Sequence, residues 1–143
     1  MGDDFLRVVL DTNVLLVSIS SKSKYHWIFK ELLEHGYELF ITNEILTEYE
    51  EIISQKYSPK VAKNVIRTFL LMPNIYKVDI YYNWNLIIKD TDDNKFVDCA
   101  IAANAHVLVT QDRHFDVLEK IVFPKVSVMS VEEFKEILKK HMS

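Results

Sequence analysis

Four places in this 143-residue chain carry acidic side chains where chemistry tends to gather. Asp11 ends the run Leu6–Leu10, a β-branched and aliphatic stretch that reads as a fully buried parallel strand. Asp112 follows a second such run, His106–Thr110, and Asp98 stands inside the small, apolar helix expected over Phe96–Ala103. Glu44, Glu48, Glu50 and Glu51 share one helix, where periodicity alone leaves the functional one open, because acids near a helix start also complement its dipole. A carboxylate at the mouth of a buried strand is costly unless solvated, hydrogen-bonded or bound to a cation. The chain offers no matching set of bases, so clustered carboxylates must raise one another's pKa or hold divalent cations. Mg²⁺ prefers carboxylate oxygens and retains waters, and Mn²⁺ has similar tastes. Two such ions about 3.5–4 Å apart can activate a water and stabilise the leaving oxygen in phosphodiester hydrolysis.

The elements that must position these acids follow from the pattern. Further strands are expected at Glu38–Ile41, at Ile75–Ile80 as an edge, and at Lys125–Met129. An amphipathic helix over Tyr25–His35 should stop at Gly36, acting as a C-terminal glycine cap. Thr42 or Asn43 caps the next helix, and Ser58-Pro59 opens another, which Pro73 ends. Asp116–Lys120 reads as a short helix, and Ser130 with Glu133 forms a capping box before the last helix, Val131–His141. Strands alternating with helices imply a mostly parallel sheet covered on both faces, with its C-terminal strand ends along one rim. Tyr81, Tyr82 and Trp84 are expected to cover the core, and the Lys60, Lys63 and Arg67 face to be plain solvated surface. Met1–Phe5 reads as a leader, with Asp3 and Asp4 at the sheet end opposite Asp11.

Composition narrows the classes. With 49% hydrophobic and 27% charged residues the chain is globular, and its length suits a single domain over residues 1–143. Two glycines exclude a glycine-rich phosphate loop of dinucleotide-binding or P-loop type. The lone Cys99 can form no internal disulfide, and neither a secretory signal nor a membrane-spanning run is present, so a reducing cytoplasm is expected. A net charge of −4 argues against holding nucleic acid by bulk electrostatics, so a polyanionic substrate needs a metal ion or a local basic patch.

Four ordered segments now carry a resemblance. They are Leu10–Leu15, Thr42 with Glu48-Tyr49, Asp92–Asp98 with Ala100–Ala103, and Val109–His114. Together they resemble the motifs of PIN-domain ribonucleases, above all the VapC-like toxins of bacterial and archaeal toxin–antitoxin pairs. The likeness runs from about Arg7 to Ser130. It implies a three-layer α/β/α fold and Mg²⁺- or Mn²⁺-dependent RNA cleavage leaving a 5′-phosphate and a 3′-hydroxyl. It also selects Glu48, and implies Asp11, Glu48, Asp98 and Asp112 as the catalytic, metal-holding acids. Asp93 shares the third acid's role with Asp98, and Asp116 is an alternative fourth. Asn13 and Thr110 would hold the carboxylates or a phosphate, and Lys95, Arg113 or His114 would neutralise the scissile phosphate. His114 otherwise reads as a surface residue. Implied partners are an RNA substrate, a small antitoxin encoded next door and a second copy of the chain, since such proteins often dimerise. Phosphatases of the haloacid dehalogenase type need a second aspartate where Asn13 stands, and receiver domains need an acid pair after the first strand. The remaining rivals share the fold: a catalytically inactive binding module, or a housekeeping or DNA-directed nuclease.

Overall fold

Strands β1 (Arg7–Leu10), β2 (Glu38–Ile41), β3 (Ile75–Lys77), β4 (Val107–Val109) and β5 (Val128–Met129) form one sheet in the order β3-β2-β1-β4-β5. They are seen in a computed structural model that describes residues 5–142, so Asp3 and Asp4 lie outside the described residues. Every pairing is parallel. Val8, Val9 and Leu10 are each fully buried, as are Leu108 and Val109. Neighbouring strand residues point to opposite faces, so burial of all of them means that both faces are covered. The α/β/α architecture expected from the alternation is the one observed.

The covering helices are α1 (Thr12–Ser18), α2 (His26–Leu33), α3 (Asn43–Lys56), α4 (Pro59–Leu71), α5 (Asn94–Ala102) and α6 (Val131–Met142). Two 3-10 segments, Thr91–Asp93 and Arg113–Lys120, complete the described elements. Local chemistry sets the boundaries. The Thr42 hydroxyl accepts from Ile45 N–H, and the Ser58 hydroxyl accepts from Val61 N–H. Ser130 and Glu133 form the reciprocal capping box.

Several details depart from the pattern reading. The left-handed residue after α2 is His35 (φ 63°), not Gly36. At Gly36 the chain instead runs close to Glu31: its N–H bonds Glu31 O at 2.7 Å, and a Cβ would lie 3.1 Å from that oxygen and 2.6 Å from the movable Glu31 Oε2. β5 keeps only two of the five residues expected, and the expected Asp116–Lys120 helix is the end of a longer 3-10 segment. Tyr81 and Tyr82 do not cover the core; they are 92% and 65% exposed. β3 stops at Lys77, so the chain has left the sheet edge before these rings arrive. Half-buried Trp84 sits edge-on to Tyr82 and to exposed Phe123, at centroid distances of 4.7 and 6.2 Å. Lys60, Lys63 and Arg67 are exposed, as expected of a solvated face. Cys99 is a buried core hydrophobe whose thiol burial pushes up to about 12. No helix among the described residues is long and apolar enough to cross a membrane.

The connection over residues 78–90 has no regular structure, yet it leads directly to the acidic segment. One side chain ties it down. Buried Asn94 accepts from Ile87 N–H at 2.9 Å and donates to Ile87 O at 2.8 Å, replacing the missing backbone partners. Asn94→Ala leaves both buried groups unpaired, which costs about 1–3 kcal/mol. Hydrogen exchange is expected to quicken over residues 84–90 while β1 and β4 stay protected; uniform loss of protection would show that the clamp holds the whole core.

Candidate metal centre

The sheet reverses direction of growth between β1 and β4, and the crevice beyond the strand ends at such a switch point is where open α/β sheets bind ligands. Leu10 pairs with Val109, which brings Asp11 beside Thr110. Asp11 N–H bonds Val109 O at 3.1 Å and continues the ladder by one residue. The Thr110 hydroxyl donates to Asp11 Oδ2 at 2.6 Å and accepts from Asp112 N–H at 3.0 Å. Each aspartate also accepts from the N–H two residues on: Asn13 N–H to Asp11 Oδ1 at 3.1 Å, and His114 N–H to Asp112 Oδ1 at 2.9 Å. These turns let both strands end on a carboxylate without stranding backbone donors. Burial raises the Asp11 pKa; the bonds from Thr110 and Asn13 pull it down, and the charges of Asp112 and Glu48 push it up again.

Asp93 joins these two. Asp90 caps the 3-10 segment Thr91–Asp93 through Asp92 N–H at 3.2 Å. Residues three apart eclipse in a 3-10 turn, so Asp90 and Asp93 face the same way. One ligand atom each from Asp90, Asp93, Asp112 and His114 lies within 4.8 Å of the others. Asp93 Oδ2 is buried without a hydrogen-bond partner, and the nearest base is His114 Nδ1 at 3.9 Å. The Asp93 carboxyl is accordingly raised to about 7, chiefly by burial, then by Asp90, Asp112 and Asp11, with His114 opposing. An orphaned buried carboxylate oxygen among other carboxylates is a place that a hard dication satisfies, and the oxygen-rich donors suit Mg²⁺ or Mn²⁺.

Glu48 reaches the same crevice from α3. Its two oxygens accept from the Thr12 hydroxyl and the Lys95 ammonium, and its charge is felt at Asp11. Tyr49, fully buried beside it, donates to Leu10 O at 2.5 Å and so docks α3 on the end of β1. Glu44, Glu50 and Glu51 are exposed.

The remaining expected residues divide. Asp98 is buried but turned elsewhere: it accepts from Trp84 N–H at 3.1 Å. Its pKa is raised by burial, lowered by the Trp84 bond and raised by Glu44, with no contribution from Asp11 or Asp93. Asp116 is exposed and stays outside the group of close acids, and exposed Asn13 meets the site through its N–H to Asp11 Oδ1. Arg113 is exposed at the rim, and Lys95 is engaged with Glu48. His114 is a surface residue, as expected, yet its ring faces Asp112 at 3.2 Å and Asp90 and Asp93 at 3.9 Å. Asp90 was not singled out by sequence reasoning. The signal was its spacing of three from Asp93 within a segment too short and polar for an α-helix.

A sequence profile of the PIN domain family matches residues 7–114. No protein of curated function is significantly similar in sequence. Among solved structures, VapBC2 from Rickettsia felis, bound to a DNA fragment from its promoter, matches with a TM-score of 0.57 and 19% identity, covering 87% of this chain and 98% of that one. DNA-bound VapBC from Salmonella typhimurium gives 0.56 and 17%, covering 88% and 98%. The PIN domain of RRP44 from T. brucei gives 0.54 and 10%, covering 97% and 83%. At these identities the likeness is one of fold.

The raised Asp93 carboxyl has a sign that can be checked. In the folded, metal-free protein it keeps its proton up to about pH 7, whereas the unfolded chain releases it near 3.8. The folded state therefore binds more protons across that window, so stability falls as pH rises through it. Thermal melts in EDTA are expected to show wild type gaining a few degrees between pH 8 and pH 5.5, on the order of 1 kcal/mol once solvent screening of this partly exposed group is allowed for. Asp93→Asn should lose most of that dependence and melt higher than wild type at pH 8. Equal pH responses of the two proteins would place the strain elsewhere.

Proposed function

Because the chain belongs to the PIN domain family, we propose that it is a divalent-metal-dependent endoribonuclease and the toxin of a toxin–antitoxin pair. The observation that carries this reading is the unpartnered Asp93 oxygen facing Asp90 and Asp112 close to Asp11. In this reading Asp11, Asp93, Asp112 and Glu48 hold Mg²⁺ or Mn²⁺, with Asp90 as a further donor. Bound there, such a cation would make a water more acidic and would offset the negative charge that builds as the phosphodiester bond breaks. The water oxygen forms the new bond to phosphorus, and the ribose O3′ leaves and takes a proton. The products are a 5′-phosphate and a 3′-hydroxyl.

The chain's own groups have distinct tasks. Thr110 holds the Asp11 carboxylate in one orientation, and the Asn13 N–H fixes its other oxygen. Lys95 and Thr12 keep Glu48 turned into the crevice. Arg113, exposed at the rim, meets the phosphate. Asp98 is a positioning residue, anchoring Trp84 and through it the connection that leads to Asp90 and Asp93. The exposed Tyr81, Tyr82, Ile88, Val122 and Phe123 offer a protein partner apolar surface, which supports an antitoxin.

Purified protein is expected to cleave RNA with Mn²⁺ or Mg²⁺ and not in EDTA. Asp11→Asn and Asp93→Asn should each lose about 100-fold or more, whereas Asp98→Asn loses less than about tenfold. Mn²⁺ at millimolar concentration should raise the wild-type Tm by a few degrees and leave that of Asp11→Asn unmoved. Undiminished cleavage by Asp11→Asn would sink the assignment. In cells, overexpression should arrest growth, and a small protein encoded beside this one should relieve the arrest. A harmless product would point to a housekeeping nuclease.

A further inference from the structure

Next to the acid cluster lies a cavity of about 390 Å³ between the connection ending at Lys89 and the 3-10 segment Arg113–Lys120. Leu86, Ile88 and Val117 give it apolar walls, and Lys89, Arg113 and Lys120 stand around it. His114, which faces the acids, is also part of its lining, so the cavity and the candidate metal centre adjoin at that side chain. Among the described residues, Lys89, Arg113 and Lys120 have no carboxylate within salt-bridge distance. Asp116 is the carboxylate in the lining. A protein of net charge −4 thus presents a local positive excess beside its most acidic feature.

The geometry points to this cavity as the subsite for one unpaired nucleotide of the RNA, adjacent to the bond that is cut. The inference rests on the ribonuclease reading and adds to it the residues that seat one nucleotide of the substrate. A volume of this size is at the lower end for small-ligand pockets and suits one base with its sugar, not a base pair. Apolar walls favour the face of a base, which a strand offers only when it is unstacked and unpaired. Lys89 and Lys120 supply the point charges that flanking phosphates require. Neither lysine is among the acids or their hydrogen-bond partners, so their removal leaves the metal centre intact.

Binding separates the two readings. Fluorescence anisotropy in EDTA, with a 3′-labelled single-stranded RNA decamer of mixed sequence, needs no cleavage. Wild type is expected to bind the decamer at least about tenfold more tightly than the same sequence as a duplex. The K89A/K120A double variant should bind about tenfold more weakly, with the slope of log affinity against log salt shallower by about 1.4, from two lost phosphate contacts. Val117→Trp, which fills the cavity without changing charge, should weaken binding to the same degree and leave the salt slope alone. Circular dichroism and the Mn²⁺-induced rise in Tm check that each variant is folded with its metal centre intact. Wild-type affinity in both variants, equal affinity for duplex, or no RNA binding at all would overturn the subsite. With metal present, cleavage by K89A/K120A should show a raised KM and a kcat within about threefold of wild type. Specific binding without cleavage would sink the ribonuclease reading and leave the subsite standing. A single-stranded DNA decamer of the same sequence, run beside the RNA, is expected to bind several-fold more weakly; equal binding would overturn the RNA assignment.

Discussion

A carboxylate at 7% exposure, at the end of a strand buried on both faces, is the constraint on which the structure turns. Asp11 pays for its position with three arrangements at once. The β1–β4 register sets Thr110 against it, the start of α1 supplies the Asn13 N–H, and the crevice leaves its charge exposed to other acids. The first two oppose the upward push of burial on its pKa and hold the carboxyl in one orientation, which a cation-binding group requires. Thr110 is shared between Asp11 and the backbone of Asp112, so one hydroxyl ties the ends of two strands to the start of the following 3-10 segment.

The bases near this centre are as informative as the acids. Lys95 compensates Glu48 from the first turn of α5, and His114 stands over Asp90, Asp93 and Asp112. Neither reaches Asp93 Oδ2 to hydrogen-bond it. Repulsion is therefore relieved at the edges of the cluster and left uncorrected at its middle.

How much of this was legible in the sequence depends on whether an element is defined by its own residues or by its neighbours. Strand β1, the Thr42 and Ser58 caps and the Ser130–Glu133 box are set by local chemistry, and all were readable. Asp11 and Asp112 were readable for the same reason, since each stands just past the end of a buried run. Which of Asp93 and Asp98 stands beside Asp112 was not, because only packing decides which way each faces. Asp98 looked more anomalous, being surrounded by Phe96, Val97, Cys99 and Ala100, but a backbone N–H from a distant connection meets it. The exposed tyrosines misled for a related reason: aromatic content suggests core, and whether a core lies beneath depends on where the neighbouring strand stops. At Gly36 the helix end was read correctly and the left-handed position was not, since His35 takes that geometry one residue earlier.

The sheet's borders are three residues long at β3 and two at β5, and the strands inside them are little longer. An outer strand with so few free amides and carbonyls is a poor template for another chain's backbone. Joining copies side by side into a continuous sheet is therefore disfavoured. That leaves side chains on helices and connections as the better-suited recognition surface, where a single substitution can change the choice of companion without disturbing the scaffold beneath.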